Sequence, residues 1–497
     1  MLALLLAVQQ PPHVYFGNLH SHTSYSDGSG TPEEAYAHAR DVAHLDFLAI
    51  TEHNHSQAES GAGARADGKL IATDHSLYTK VKTAAAGATS DSSFVALYGQ
   101  EFSSISKGNH VNVFEIADVI DEAQVPNGEF KTLLSWLSTR KDSTNQLALI
   151  QFNHPADYHP ADVDRGYGLD DFGSEAGWVS AMGAQAGLIE VLNGPALTNA
   201  AGVPPEKVME ADYLKYLNLG FHLGPTGDQD NHYKTWGTIT DARTAVIAPQ
   251  LTKAAILEAL RARHVYATED KNLRIIANVD GHLIGDRTNQ FPAVGVELAI
   301  SGTIADDDEP DATYRIDAFS DDGPGGNAAA IADSTTIDTQ GAFHVSGVSF
   351  KGPGQYVFLR VTQFSENGTD RAWTAPVWFD AAQGAPAAPT VALRLQSILP
   401  NPFGSDLENE AATIKNVGTS SVSLVGWKLR DLTGNSWTLD GLGSISAGSA
   451  ATIVRHGQAM SMNNTGHEVI ELVSPANVAV DQIQYSGTTT GTAITHP

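Results

Sequence analysis

Short apolar runs alternate with polar, helix-like segments over residues 13–270. The runs lie around Val14 and at residues 47–50, 94–98, 111–114, 147–152, 187–192, 221–224 and 245–248. Helix signals separate several of them. Thr31-Pro32-Glu33-Glu34 is a capping box with proline at the first helical position, residues 205–219 read as a helix that ends before Gly220, and Thr252 starts another. This alternation predicts an α/β fold with a parallel sheet or barrel.

The pattern changes after residue 272. Residues 273–381 carry short alternating strands and turns rich in glycine and aspartate, which predict a small all-β sandwich. A linker is predicted at residues 382–390, in the small-residue stretch AAQGAPAAP, and residues 391–497 are predicted to be all β again. The expected order is therefore a catalytic-type α/β domain at 13–272 followed by two β-sandwich domains.

Metal-binding residue types recur where the predicted strands end. The first strand runs into His20 and His22, whose two-residue spacing places both rings on one side of an extended chain, and Asp27 follows in a turn. Further candidates accompany the next strands: Glu52, His53, His55, Glu101, His110, His154, Asp228, Asp230 and His232. Because the ends of parallel strands in a barrel converge on one mouth, these residues are expected to form one basin.

Composition restricts the chemistry of that basin. The 497 residues contain no cysteine, which excludes disulfides, thiolate metal sites and cysteine nucleophiles, so any metal has nitrogen and oxygen ligands. Imidazole-rich sites suit Zn, Mn or Fe better than Mg or Ca. The formal net charge of −28 disfavours nucleic acid or an anionic membrane as a partner. No apolar stretch is long enough for a membrane span.

The ordered motifs HSHTSYSDG, TEHNH, GQE, NHVNVF, FNHP and QDNH resemble the PHP superfamily, and most closely its CehA/McbA-type metallohydrolases, over residues 13–275. The resemblance implies a distorted (β/α)7 barrel that holds two or three divalent ions. It implies one ion on His20, His22, Glu101 and Asp230, a second on Asp27, His53 and His232, and a third that Glu101 shares with His110 and His154.

Other residues are expected to support these ligands. Glu52 stands where the family usually has aspartate, and it is interpreted as a carboxylate that orients His53. Asp228 is a candidate behind the ligands, and His55 faces either the ligands or the substrate. His222 and His159 are candidate proton donors, with an ordinary structural role as the alternative for each.

The implied reaction is hydrolysis by a metal-bridged hydroxide. A phosphomonoester or phosphodiester is the leading substrate class, by analogy with the superfamily, and the substrate is expected to be a small anionic molecule. Hydrolysis of a carbamate, aryl ester or amide is the alternative. The second alternative is a surface-binding protein with an inactive barrel.

The last domain resembles a lamin-tail domain, an immunoglobulin-like sandwich, over residues 391–490. This resemblance implies an accessory module for attachment to a cell surface or matrix. Residues 1–12 are apolar and lack a basic start, so they are interpreted as an atypical export signal, which predicts a secreted or periplasmic protein; a disordered start is the alternative. The acidic run 306–311 is either a calcium site or a solvated turn.

Overall fold

The computed structural model describes residues 12–58, 70–103, 110–155, 167–195, 207–323, 327–380, 393–417, 422–431, 435–473 and 479–495. Residues 1–11 of the predicted export signal and the whole predicted linker lie outside the described residues. The chain forms two compact units: Met1–Gly168 with Met182–Ala382, and Leu169–Ala181 with Gln383–Pro497.

The helices are short. They are α1 (Pro32–Asp41), α2 (His75–Ala88), α3 (Phe130–Leu137), α4 (Glu175–Met182), α5 (Glu210–Asn218), α6 (Lys253–Ala262) and α7 (Asp406–Asn409). Within the part of the chain that the structure describes, no helix has the length and apolar character needed to cross a bilayer.

The described residues of the first unit form twenty strands. They are β1 (His13–Asn18), β2 (Phe47–His53), β3 (Val95–Phe102), β4 (Val111–Phe114), β5 (Ile150–Phe152), β6 (Ala186–Asn193), β7 (Lys207–Val208), β8 (Gly224–Gly227), β9 (Arg243–Ala248), β10 (Val265–Thr268), β11 (Arg274–Val279), β12 (His282–Leu283), β13 (Arg287–Thr288), β14 (Ile300–Ala305), β15 (Thr313–Ser320), β16 (Ala330–Ile337), β17 (Gly341–Val345), β18 (Tyr356–Phe364), β19 (Thr369–Thr374) and β20 (Val377–Phe379).

The helix starts follow from the sequence. Thr31 Oγ1 accepts a hydrogen bond from the Glu34 backbone N–H at 3.3 Å, and the Thr31 N–H donates to Glu34 Oε2 at 2.9 Å, so the predicted capping box is confirmed. Thr252 caps α6 with a single bond, because its Oγ1 accepts from the Ala255 N–H at 3.3 Å. Helix α1 buries Ala35, Tyr36 and Ala39, and the Tyr36 hydroxyl donates to Leu97 O at 2.6 Å. Capping therefore sets where the helix begins, and this apolar face fixes it against the sheet.

One large sheet organises the first unit. Its order is β13-β20-β18-β19-β10-β9-β1-β2-β3-β4-β5-β6-β7, and β8 pairs with β6. Strands β1, β2 and β3 are parallel neighbours, as are β5, β6 and β8. Strands of the segment 273–381 continue the same sheet, because β19 pairs with β10. The division of this unit at residue 272 stays a prediction.

Two strands run against the predicted parallel direction. Strand β4 is antiparallel to both β3 and β5, and β9 is antiparallel to β1. No described helix separates β3 from β4 or β8 from β9, and a parallel connection needs a crossover, usually a helix. The run at residues 221–224 also lies almost wholly before β8, which starts at Gly224.

The second unit holds strands β21 (Leu393–Leu399), β22 (Ala411–Asn416), β23 (Val422–Ser423), β24 (Lys428–Asp431), β25 (Ser436–Thr438), β26 (Ser444–Ile445), β27 (Ala450–Val454), β28 (His467–Val473), β29 (Ala479–Ser486) and β30 (Ile494–Thr495). They form the sheets β27-β22-β21-β30, β25-β24-β28-β29 and β23-β26. Trp437 lies in the shared apolar core, and its Nε1–H donates to Met460 O at 2.8 Å. The one-turn helix α7 departs from the all-β prediction, because Ser405 to Asn409 form a local turn.

Gly17 permits the close approach of β1 to β2. A Cβ there would lie 2.2 Å from Phe47 O and 2.5 Å from the Phe47 ring. We predict that Gly17→Ala lowers the free energy of unfolding by about 1–3 kcal/mol, because neither backbone nor ring can move away without disturbing the ladder. Gly87→Ala is the control: a Cβ at Gly87, inside α2, meets nothing within 4 Å, so this change should stabilise by about 0.5–1 kcal/mol. Urea unfolding midpoints measure both, and an unchanged midpoint for Gly17→Ala would contradict the packing argument.

Candidate metal centre

The predicted ligands meet at one end of the large sheet. His20 follows β1, His53 ends β2, Glu101 lies near the end of β3, His154 follows β5, and Asp230 follows β8. His110 precedes β4 rather than following it, yet it reaches the same end because β4 runs antiparallel. The structure therefore brings together all nine residues that the sequence proposes as ligands: His20, His22, Asp27, His53, Glu101, His110, His154, Asp230 and His232.

The tightest group consists of His20, His22, Glu101 and Asp230, all buried. The Nε2 atoms of His20 and His22 lie 3.2 Å apart, and each lies 3.2 Å from Asp230 Oδ1. Glu101 places one oxygen 3.2 Å from His20 Nε2 and the other 3.3 Å from His22 Nε2. Four ligands arranged tetrahedrally around zinc at about 2.0–2.1 Å lie about 3.3 Å from one another. The ligand spacing thus fits one small divalent ion.

A second group surrounds Asp27. Its Oδ1 lies 3.1 Å from His232 Nε2, 3.7 Å from His53 Nε2 and 3.9 Å from His22 Nδ1. The resemblance assigned His22 to the first group alone, whereas the structure places it beside both. Its ring stacks on those of His53 and His232, with centroids 4.6 Å and 4.2 Å away.

Glu101 also faces a third set of imidazoles. Its Oε1 lies 3.1 Å from His110 Nδ1 and 3.3 Å from His154 Nε2, and its Oε2 lies 3.0 Å from His53 Nδ1. One carboxylate therefore borders every group of candidate ligands. This is the placement expected of a ligand shared between neighbouring ions.

Hydrogen bonds set which ring nitrogen faces the centre. His20 Nδ1 lies 2.8 Å from Glu190 Oε1, and His232 Nδ1 lies 2.8 Å from the Asp230 carbonyl; both partners only accept, so the ring protons are on Nδ1. Ser26 Oγ donates to Glu52 and therefore accepts from His22 Nδ1 at 3.3 Å. In their neutral forms all three rings direct an unprotonated Nε2 inward, as metal-binding histidines do.

The centre concentrates buried negative charge, which needs positive partners. Six buried carboxylates lie in or behind it: Asp27, Glu52, Glu101, Glu190, Asp228 and Asp230. No described lysine or arginine forms an ion pair with any of them. Oδ1 of Asp27 and Oδ1 of Asp230 are buried and accept no hydrogen bond within the described structure. Since buried carboxylates are costly unless paired, these oxygens and the inward Nε2 atoms fit divalent metal ions.

The pKa values show that carboxylates and imidazoles of the centre stabilise each other's charged forms. Burial alone would raise the pKa of Glu101, but His20, His53 and His110 hold it well below its usual range. Burial likewise works against charge on His22, yet its contacts with Asp230 and Glu101 raise its pKa to about 10. The pKa of His55 falls to about 2, through burial and the neighbouring His53 and His110. His55 is thus a neutral imidazole.

Two candidate ligands have strained backbones. His154 has a φ of +32° and Asp230 a φ of +47°, in the left-handed region that side chains other than glycine avoid. Such conformations cost about 1–3 kcal/mol each and persist where surrounding contacts enforce them. Here the His154 N–H donates to Glu190 Oε2 at 2.5 Å, which fixes its turn.

Glu52 has a different role from the one expected. It does not bond to His53; its carboxylate accepts from the Thr23 N–H at 3.1 Å and from the hydroxyls of Thr23 and Ser26. The reason is strand alternation, because adjacent residues of β2 point to opposite faces. Glu52 therefore holds the loop that carries His22 and Asp27.

Asp228 lies behind the ligands. Its Oδ1 accepts from the Leu19 N–H at 2.5 Å and from Thr244 Oγ1 at 3.1 Å, and its Oδ2 accepts from Gln151 Nε2 at 3.1 Å. Burial, with the nearby Glu190, raises its pKa to about 7. The structure thus places it as a support for the β1 end, without showing it among the clustered ligand atoms.

Glu190 was missed in the sequence. It lies on β6 within the run GLIEVL and is fully buried, bonded to His20, His154 N–H and Asn193 Nδ2. The available signal was a single carboxylate inside an otherwise apolar strand, since a buried charge needs a partner.

His222 does not join the centre. It precedes β8, at the opposite end of that strand from Asp230, and its Nε2 lies 2.6 Å from Asp380 Oδ2. Its interpretation as the proton donor is therefore not supported by its position. His159 lies outside the described residues.

No family model matches the chain. An uncharacterized protein of Chlamydia pneumoniae is 28% identical over 184 residues, covering 33% of this chain and 28% of that protein. An uncharacterized protein of Chlamydia trachomatis is 23% identical over 409 residues, covering 74% of this chain and 58% of that protein. The chain thus spans less than two-thirds of the length of either relative.

Among solved structures, the chain is similar to a two-domain protein from Bacteroides vulgatus that contains a predicted PHP-like metal-dependent phosphoesterase. The TM-score is 0.38 at 16% identity, and the match covers 71% of this chain and 91% of that one.

We predict that Glu190→Gln weakens metal binding about 10- to 100-fold, because the amide no longer fixes His20 with a charged acceptor. Affinity is measured by competition with a chromophoric chelator. His222→Gln is the control, because His222 belongs to the same unit but lies away from the centre. The metal affinity of this variant should equal that of the wild type. Equal affinity of both variants would show that Glu190 does not orient a ligand.

We also predict that metal binding releases protons at pH 7. Without metal, His22 has a pKa of about 10 and is protonated at pH 7, and a ligand must lose that proton. Affinity should therefore rise as pH increases from 7 towards 10 and level off above it. Calorimetry in two buffers of different ionisation enthalpy counts the protons, and heats that do not depend on the buffer would contradict the prediction.

Proposed function

We propose that this protein is a metal-dependent hydrolase with two or three divalent ions, of Zn, Mn or Fe. The observation that carries the proposal is the sharing of Glu101 among overlapping groups of inward-facing imidazoles and carboxylates. Purely structural metal sites are closed and separate, whereas neighbouring ions with a shared carboxylate suit hydrolysis. Bound ions would lower the pKa of a water molecule towards about 7 and offset negative charge developing on the substrate.

The chain's own groups have separable tasks in this proposal. Glu190 and Ser26 keep His20 and His22 turned inward, while Glu52 and Asp228 hold the loops in place. His55, neutral and buried beside His53, has a ring nitrogen, Nδ1, without a hydrogen-bond partner in the described structure. It is suited to orient a substrate group by hydrogen bonding rather than to donate a proton, because its pKa is about 2.

A phosphoester is the leading substrate class, since adjacent cations suit the charge of phosphoryl transfer. One observation favours the second candidate, a carbamate, aryl ester or amide. The Arg243 guanidinium donates to the carbonyls of Gly237, Thr240 and Ala242, and Lys234 pairs with Glu34. Neither cation is directed at an anionic substrate.

The proposal extends to the closure of the large sheet into a barrel. We infer that the sheet closes as a distorted (β/α)7 barrel, which is supported by the Gly227 N–H donating to Thr244 Oγ1 at 3.0 Å, from β8 to β9. We also propose that the protein is exported and that its C-terminal unit, an immunoglobulin-like domain of the lamin-tail type, attaches it to a surface. Both proposals rest on the sequence alone.

The test is turnover of matched nitrophenyl substrates: a phosphomonoester, a phosphodiester, a carboxylic ester and a carbamate. We expect metal-loaded protein to hydrolyse a phosphoester, and Asp27→Ala or His53→Ala to lose more than about 100-fold, because ligands matter more than their supports. His344→Ala, at an exposed position of β17, is the control and should retain full activity.

Turnover of only the ester or carbamate would select the second candidate. Absence of metal and of turnover after reconstitution would overturn the hydrolase and favour a surface-binding protein. Full activity of Asp27→Ala and His53→Ala would show that the reaction takes place elsewhere.

A further inference from the structure

A second cluster of carboxylates lies apart from the metal centre. Asp270 belongs to the connection between β10 and β11, and Asp306 and Glu309 belong to the turn between β14 and β15. Each offers an oxygen within 4.8 Å of the others, and Asp306 is fully buried. We call these three residues the junction cluster. It contains no histidine, in contrast to the metal centre.

The neighbouring cations do not neutralise the junction cluster. Lys271 Nζ lies 2.9 Å from Asp308 Oδ2 and Arg274 lies 2.7 Å from Asp307 Oδ2, so both engage the exposed acids of the same turn. None of the three clustered carboxylates forms an ion pair with a lysine or arginine among the described residues. Burial, followed by repulsion from Asp306 and Asp370, raises the pKa of Asp270 to about 6.

Two fully buried polar side chains of the adjoining strands border this cluster, and each has one atom without a hydrogen-bond partner among the described residues. Gln363 Nε2 donates at 2.7 Å to both Asp306 Oδ2 and Glu309 Oε2, whereas its Oε1 has no hydrogen-bond partner in the described part of the chain. Tyr314 lies directly opposite Gln363 in the β15–β18 ladder and is also fully buried. No described residue hydrogen-bonds to its hydroxyl. Burial, together with the charges of Asp306, Glu309 and Asp270, raises the pKa of Tyr314 to about 12.

An unpaired hydroxyl and an unpaired amide oxygen beside three carboxylates are unfavourable without a cation. The two ends of an amide have nearly the same shape, so a half-turn of the Gln363 amide exchanges Nε2 for Oε1 at the same position. The donor set then consists only of oxygens: three carboxylates, an amide carbonyl and a phenol. Hard oxygen donors in a flexible arrangement are typical of calcium and not of the imidazole-binding metals.

We propose that the junction cluster binds a calcium ion through Asp270, Asp306 and Glu309, with Gln363 contributing its amide oxygen. Such an ion connects the chain leaving β10 to the β14–β15 turn and to the end of β18. It therefore fixes the strands of the segment 273–381 to the sheet that carries the metal centre. The proposal is independent of the hydrolase function, because the two sites share no residue.

The test uses the full chain with its metal centre already loaded, titrated with CaCl₂ by calorimetry and followed by thermal unfolding. We expect one Ca²⁺ per chain and a rise in Tm with Ca²⁺ concentration, because the ion binds only the folded state. Glu309→Gln should weaken binding at least tenfold. Asp307→Asn is the matched control: it changes the same charge in the same turn, on an exposed residue paired with Arg274, and should bind Ca²⁺ as the wild type does.

Tyr314→Phe removes only the hydroxyl and leaves the core packing, so it should fold normally and bind Ca²⁺ more weakly. The proposal is overturned if the wild type shows neither heat nor a Tm shift with Ca²⁺, or if Glu309→Gln binds as tightly as Asp307→Asn. It is also overturned if Mg²⁺ or Zn²⁺ at the same concentration gives a larger Tm shift than Ca²⁺.

Discussion

Buried negative charge is the constraint on which the first unit depends. Six carboxylates lie at one end of a sheet, away from water and from the described lysines and arginines. They divide into two layers. The inner layer, Asp27, Glu101 and Asp230, faces imidazoles. The outer layer, Glu52, Glu190 and Asp228, is satisfied mainly by hydrogen bonds from the backbone and from neutral side chains. Imidazole neighbours and hydrogen-bond donors can both stabilise a buried carboxylate. Only the inner carboxylates keep lone pairs that are free to bind an ion.

The outer layer explains how loops from separate strands are held in register. The loop after β1 donates the Thr23 N–H to Glu52 on β2 and the Leu19 N–H to Asp228 after β8. The turn after β5 donates the His154 N–H to Glu190 on β6. In each case a carboxylate on another strand, or just after one, accepts from the backbone of a ligand-bearing loop. Charge-assisted bonds of this kind are stronger than neutral ones, which accounts for the left-handed backbone at His154.

Much of the inner layer could be predicted from the sequence, because its residues stand at strand ends, where apolar runs stop and metal-binding types recur. Glu52 and Asp228 of the outer layer, which also stand near strand ends, could be predicted as supporting residues, but Glu190 and the direction of the Glu52 side chain could not. Glu190 sits inside an apolar strand, and the direction of Glu52 depends on which face of β2 is turned towards the β1 loop. His222 is a suitable residue type for a proton donor, but it lies at the opposite end of β8 from the metal centre. The sequence run at residues 221–224 suggested that the strand begins earlier than Gly224, where it starts in the structure. The direction of β4 could not be predicted from the sequence either. His110 reaches the centre only because β4 is antiparallel to β3 and β5, and this direction depends on pairing between separate segments of the chain.

The two layers also respond differently to the loss of ions. The outer hydrogen bonds require no cation, so the loops that carry His22 and His154 are held in place before any metal arrives. His22, by contrast, carries a proton at neutral pH, because its contacts with Asp230 and Glu101 outweigh the effect of burial and raise its pKa to about 10. An ion that enters this centre would displace the His22 proton within a framework that folding has already formed. Ligands that folding has placed in order favour tight binding, because little ordering remains for the ion to impose.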